Sequence, residues 1–209
     1  MAESLHTPVV PLEAGAGPEN PPCPACGEPL FGWLSTQPGL AGPVSRCESC
    51  GLGVIGVSGG PEEALRELGT LGDGSGPRIA NRDSYACALG SAGWAGLVPG
   101  ARYLFTVEAV RRLVARRDQV VRRSRWIPGL SLAATWQTLL NSVTFGHNVA
   151  IGAVGRGRVT PAPKAWQRRI DYLVTVVLAI PALAIAVPVE LAGGLFKRGA
   201  VIQLRFELL

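Results

Sequence analysis

The chain has 209 residues, 47% of them hydrophobic and only 17% charged, with 27 Gly and 17 Pro. That composition excludes a generally disordered chain, and two His exclude any site built from several histidines. The net charge of +5 is unevenly spread: residues 1–76 carry nine acids and two bases, residues 77–209 eighteen bases and six acids.

The basic half is also the apolar half, a pairing that points to an anionic membrane surface before nucleic acid. The length suits one domain with a small appendage. The 18 Arg against 2 Lys fit a GC-rich coding genome and hence a bacterial source. Residues 1–20 have no basic stretch followed by an apolar core, and are rich in Gly, Pro and Glu. They are expected to form a disordered leader without a secretory signal, which places the start of the chain in the cytosol. His6 falls in that leader.

The strongest motif lies in residues 21–53. Cys23-Pro24-Ala25-Cys26-Gly27 is followed, after twenty residues, by Cys47-Glu48-Ser49-Cys50-Gly51. Two residues between cysteines let both thiolates of a tight turn face one metal, and the following Gly permits the positive φ that closes the turn. Two such knuckles complete a tetrahedral set of four thiolates, which suits Zn²⁺. Cys23, Cys26, Cys47 and Cys50 are therefore expected to hold a structural zinc, since four protein ligands leave no open position for chemistry. Disulfides are the competing reading, and a reducing compartment disfavours them. The segment between the knuckles, with Leu30, Phe31, Trp33 and Leu34, supplies a hairpin. Cys87, in Tyr85-Ala86-Cys87-Ala88-Leu89, reads as a small buried apolar residue.

Residues 54–79 read as a linker. Val54 to Gly60 is apolar, Glu62 to Leu71 forms a short helix with Ala64, Leu65 and Leu68 on one face, and Gly72 to Pro77 is a flexible link. Residues 80–126 read as a helix and strand. Thr106 caps a helix in which Val107, Val110, Leu113 and Val114 recur at helical spacing. Gln119 to Trp126 then reads as a strand.

Asn81-Arg82-Asp83-Ser84, Gly90, Trp94, Pro99 and the run Leu104-Phe105-Thr106-Val107-Glu108-Ala109-Val110-Arg111-Arg112-Leu113 together carry a family likeness. The segment resembles the C-terminal part of class I S-adenosylmethionine-dependent methyltransferases, in the bacterial branch where a zinc ribbon precedes the enzyme domain. The resemblance implies that the Thr106 helix is the last of that fold and leads into its final antiparallel hairpin. Gly199-Ala200-Val201-Ile202-Gln203-Leu204-Arg205-Phe206-Glu207 resembles the family's last strand, so residues 199–209 are expected to be one. The family's cofactor site needs a glycine-rich turn after a strand and an acidic residue for the ribose hydroxyls. About 27 residues separate the ribbon from the matching segment, too few for a doubly wound sheet when one βαβ unit takes ~30. Ile55-Gly56-Val57-Ser58-Gly59-Gly60 lacks the acidic residue, and Pro61 interrupts the helix that should follow. S-adenosylmethionine is accordingly not expected, and no catalytic residue is assigned.

Residues 127–198 hold the uncharged segments. Ile127 to Gly155 carries no formal charge but is interrupted by Ser131, Thr135, Gln137, Thr138, Asn141, Ser142, Thr144 and Asn148, which suits an amphipathic or membrane-surface helix pair. His147 reads as a polar residue facing a helix partner. Tyr172 to Val189 is almost wholly apolar and 18 residues long, close to the ~20 that a span needs, with Pro181 and Pro188 expected to kink it or mark turns. Seven Arg between Arg111 and Arg125, then Arg156, Arg158, Lys164, Arg168 and Arg169, then Lys197 and Arg198 flank the two stretches, and basic flanks prefer the cytoplasm. Surface association with Trp166 and Arg168 at headgroup level, a single crossing, and burial against a sheet all remain open for Tyr172–Val189.

The fold expected is thus a small zinc ribbon, a mixed α/β remnant of a helix with two or three strands, and apolar helical hairpin segments. The function expected is binding at the cytoplasmic membrane surface by a non-catalytic, methyltransferase-derived protein, with a protein partner docked through the ribbon. A minimal or split methyltransferase and a small integral membrane protein with a cytoplasmic zinc domain are the alternatives.

Overall fold

The computed structural model describes residues 20–37, 39–57, 59–72, 76–153 and 159–208. The leader up to Glu19 with His6, Ser58 of the glycine-rich run, residues 73–75 of the expected link, and Arg156 and Arg158 lie outside them.

Two small antiparallel sheets organise the described chain. The first runs β1 (Leu30–Leu34), β2 (Val44–Cys47), β3 (Gly53–Ile55) and β5 (Tyr103–Leu104), in that spatial order. The second has β7 (Val201–Leu208) at its centre, flanked by β4 (Arg78–Ala80) and β6 (Gln119–Trp126). Every strand pairing named here is antiparallel. The cysteine segment is not an appendage, because Gly53 and Val54 pair with Leu104 and Tyr103 across the first sheet.

Between these strands, α1 (Pro61–Thr70) starts at Pro61, whose fixed φ suits a first helical turn, and buries Ala64, Leu65 and Leu68. The helix α2 (Tyr85–Gly90) is capped by Ser84, and α3 (Val107–Ala115) by Thr106, whose hydroxyl accepts the Ala109 N–H. From α3, Ala109, Val110, Leu113 and Val114 enter a core that also takes Leu52, Val54, Leu68, Ile79, Ile202 and Leu204. One apolar cluster thus runs from the cysteines to the last strand. Between β6 and β7 the chain departs for a helical excursion and returns to pair Val121 with Phe206 and Trp126 with Ile202.

That excursion is α4 (Pro128–Asn141), α5 (Val149–Ala153) and α6 (Ala165–Leu195). It differs from the sequence expectation in two ways. Pro181 and Pro188 lie inside one 31-residue helix and end nothing. The helix is also held to its neighbour close to Pro181, where Trp136 Nε1 of α4 donates to the Ala179 carbonyl at 2.8 Å. The polar residues of α4, which read as interruptions of an apolar stretch, are its buried face: Ser131, Thr135, Gln137, Thr138 and Asn141. The buried residues of α6 are Asp171, Ala182, Ala186, Glu190 and Gly193, while its aliphatic residues face outward.

The two faces of this architecture respond differently to truncation. Leu113→Ala, at a fully buried site, should lose about 2–5 kcal/mol in urea unfolding. Val176→Ala, at a position 74% exposed, should stay within about 0.5 kcal/mol. A loss at Val176 as large as that at Leu113 contradicts the outward placement of α6.

Candidate metal centre

The two knuckles share one geometry. In each, the Gly after the second cysteine has positive φ (+84° at Gly27, +75° at Gly51) and its N–H bonds back to the carbonyl of the first cysteine, at 2.8 Å for Cys23 and 3.0 Å for Cys47. The N–H of the first cysteine is bonded to the carbonyl five residues on, Cys23 to Glu28 and Cys47 to Leu52. These bonds tie each loop into a turn with both sulfurs on one side.

The four sulfurs lie within 4.8 Å of one another, with Cys23 3.5 Å from Cys50 and Cys26 3.4 Å from Cys47. A tetrahedral Zn²⁺ with bonds of about 2.3 Å needs sulfur–sulfur edges near 3.8 Å, so the donor set fits one such ion with small adjustments. Cys23, Cys47 and Cys50 are buried, and four thiolates at this spacing can hold a metal ion such as zinc. The hydrogen bond shared with the Cys50 sulfur, with backbone bonds from Cys26 and Ala25, pulls Cys23 down to about 5 against the opposing effect of burial. Cys50 is correspondingly pushed up by that hydrogen bond and by burial. Protons must leave such a set before four sulfurs can ligate a cation, so metal affinity falls as pH falls.

The second knuckle is clamped from outside. The Thr106 hydroxyl donates to the Cys50 carbonyl at 2.6 Å while capping α3. A Cβ on Gly51 would meet Thr106 Cγ2 at 2.8 Å, so the close approach depends on glycine. The Arg82 guanidinium bonds the Gly51 carbonyl at 2.9 Å and lies over the Trp33 ring, 4.6 Å from its centroid. Neighbours of Arg82 reach the other way: Asn81 Nδ2 donates to the Gly199 carbonyl, and Asp83 pairs with Arg198 at 3.0 Å. Residues 81–84 therefore staple the metal knuckle to the chain leaving α6. Sequence reasoning found the four cysteines but gave Arg82 and Thr106 no part in holding them.

Beside this knuckle opens a cleft of about 600 Å³, walled by Arg46, Arg82 and Arg111 against Glu48, Asp83 and Glu108. Cys87 stays apart from the centre, buried in α2, and burial pushes its thiol up to about 12. His147 is also remote. Its Nε2–H donates to the Trp94 carbonyl at 3.1 Å within a buried network of Asn141, Asn148 and Gln137 that ties α4 to residues 93–95. Burial lowers the His147 pKa.

No family model matches the chain, and neither a curated protein nor a solved structure is similar to it. The four-cysteine cluster, two small sheets and one long apolar helix therefore stand on their own geometry.

Two outcomes follow for the metal and the buried imidazole. If the cluster binds zinc, atomic absorption should find one per chain, and Cys26→Ser should abolish it and lower the melting temperature; a variant with unchanged zinc content and melting refutes the assignment. Burial makes folded His147 harder to protonate than in the unfolded chain, where it takes a proton below about 6.5, so stability should fall as pH drops through that value toward the lower folded pKa. His147→Gln should flatten that dependence in denaturant titrations at successive pH values, and an unchanged dependence contradicts it.

Proposed function

We propose that this chain is a zinc-ribbon protein of the cytoplasmic membrane surface that works by binding. One observation carries the reading: α6 packs with acidic and small residues inside, against the polar face of α4, and turns its aliphatic residues outward. Water-soluble helices bury the opposite set, and helices facing lipid pack this way. By length and composition α6 is apolar enough to cross a membrane, and at ~1.5 Å per residue its 31 residues extend about 46 Å. Its surroundings favour lying along the surface. The face of α4 turned from α6 bonds the protein body, with Thr138 accepting from Ala95 N and Asn141 donating to the Gly93 carbonyl. A crossing by α6 would carry those loop segments into the bilayer, where irregular backbone has no water to bond. Bases stand at both helix ends, Lys164, Arg168 and Arg169 at one and Lys197 at the other, as in-plane anchoring to anionic lipid requires.

The ribbon would give this surface protein a second face, with the mixed-charge cleft beside Cys47 and Cys50 as the place for a protein partner. Nucleic acid fits this cleft less well, because acids alternate with its bases. Descent from the methyltransferases with a preceding zinc ribbon is supported by the capped α3 leading into the antiparallel β6–β7 pair, with α4 to α6 inserted between its strands. The same feature favours a second reading, a minimal or split methyltransferase. The antiparallel pairing throughout speaks for binding, since class I cofactor sites open at the carboxyl ends of parallel strands. Calorimetric titration with S-adenosylmethionine separates the two; the binding reading predicts no heat, and micromolar affinity contradicts it.

The chain should float with phosphatidylcholine–phosphatidylglycerol vesicles and much less with pure phosphatidylcholine. Arg168→Gln with Arg169→Gln should weaken this by about 1 kcal/mol per charge. Val176→Asp with Ile180→Asp should abolish it while zinc content stays unchanged. A zinc-loaded chain that ignores vesicles, or that forms a stable dimer hiding α6, overturns the reading.

A further inference from the structure

The outer face of the second sheet gathers four arginines. Arg78 on β4, Arg205 on β7 and Arg123 and Arg125 on β6 surround Gln203 in a concavity of about 290 Å³ that no carboxylate lines. The register sets Arg123 directly across from Arg205 and places Gln203 between Arg78 and Arg125. The neighbouring acid on β7, Glu207, is 3.5 Å from Arg122. Like charges facing each other across a sheet destabilise it. The core does not require them either, since it is filled from the other face by Ile79, Ile202 and Leu204. Arg123, Arg125 and Arg205, gathered on one sheet face, suit an anion that neutralises several guanidiniums at once, and their planar forks match phosphate oxygens in pairs.

The surroundings narrow the choice of anion. A second concavity of about 410 Å³ shares Arg78, Arg125 and Gln203, and continues onto Ile127, Pro128 and Leu130 at the start of α4. Leu130 is 45% exposed. The cations thus open at one end onto an apolar ledge, the arrangement an amphiphile with an anionic head requires. A single-stranded nucleic acid would want aromatic platforms for its bases. The aromatic ring at this edge, Trp126, is instead packed against Gly194 and Gly199, with its Nε1 bonded to Glu190.

We propose that this sheet face binds the phosphate headgroup of an anionic phospholipid, with phosphate on Arg123, Arg125 and Arg205 and the first part of the acyl chain on Ile127 and Leu130. The site rests on the membrane-surface reading above and gives it a headgroup preference: a phosphomonoester head, which can engage more guanidiniums, is favoured over a phosphodiester.

The test uses the zinc-loaded full chain and two probes. The first is dihexanoyl phosphatidic acid, soluble and free of any bilayer, with dihexanoyl phosphatidylcholine as control. The second is a pair of vesicles matched in total charge, one made with phosphatidic acid and the other with phosphatidylglycerol. The chain should bind the soluble phosphatidic acid and prefer the phosphatidic acid vesicles. Arg123→Gln with Arg205→Gln, both exposed, should cut soluble binding by about tenfold or more and erase the preference, leaving melting and zinc content unchanged. Vesicle binding without headgroup preference, and no binding of the soluble lipid, overturns the site and leaves the membrane reading standing. Soluble binding without vesicle binding overturns the membrane reading and leaves the site. Inorganic phosphate or a single-stranded oligonucleotide binding the four arginines as well as the lipid does also overturns the proposal.

Discussion

Glu190 sits 3% exposed where α4, α6, β6 and β7 meet, and a carboxylate so placed must find donors or lose several kcal/mol of solvation. It finds them in Trp126 Nε1, the Thr135 hydroxyl and the backbone N–H of Ala200. Those bonds fix how α6 is rotated. At the other end of the helix Asp171 accepts the N–H groups of Phe145 and Gly146 at 2.8 and 2.9 Å. With both acids turned inward, Ala182 and Ala186 on the same side letting α4 approach, and Gly193 lying against Arg198 and Gly199, the aliphatic residues of α6 have only the outside left. The apolar surface is therefore a consequence of where two carboxylates are bonded, and it supports lipid as the medium it meets.

The metal knuckles depend on the same body. Cys47 and Cys50 are positioned by Gly51, Thr106 and Arg82, and Thr106 and Arg82 belong to segments that also pack or bond to the strands around α6. Loss of metal should for that reason be felt beyond the loops: the cysteines, α1, α3 and β7 share one apolar cluster. A protein partner at the cleft beside Cys50 and a lipid surface at α6 would be read by a single folded unit.

Much of this was legible in the chain itself. The C-x2-C spacing with its glycines located the metal ligands, because four thiols and two positive-φ turns leave few other arrangements. The helices α1 and α3 and the strand β6 followed from residue pattern and from Thr106 as a cap, and β7 was expected from the family resemblance. What periodicity could not show was direction. In α4 the rule that polar residues face water gave the inverse of the packing, since Ser131, Thr135 and Thr138 bond to the chain rather than to solvent. Pro181 and Pro188 read as kinks or turns, and neither marks a turn, since a helix packed along a neighbour tolerates a proline inside it. The arginine cluster was hidden because its members are far apart in sequence. The alternation of Arg123 with Arg125 was visible, but only the β4–β7–β6 register brings Arg78 and Arg205 to them.

The most direct measurement is photolabelling with a lipid that carries a diazirine on its acyl chain, with adducts mapped by mass spectrometry on the zinc-loaded chain bound to phosphatidylglycerol-containing vesicles. Adducts should fall on Val176, Val177, Ile180 and Leu183 and spare Ala182 and Ala186, which face α4. Labelling confined to other elements, or crosslinks joining α6 to α6 of a second copy in place of lipid adducts, would contradict an outward face that meets the bilayer.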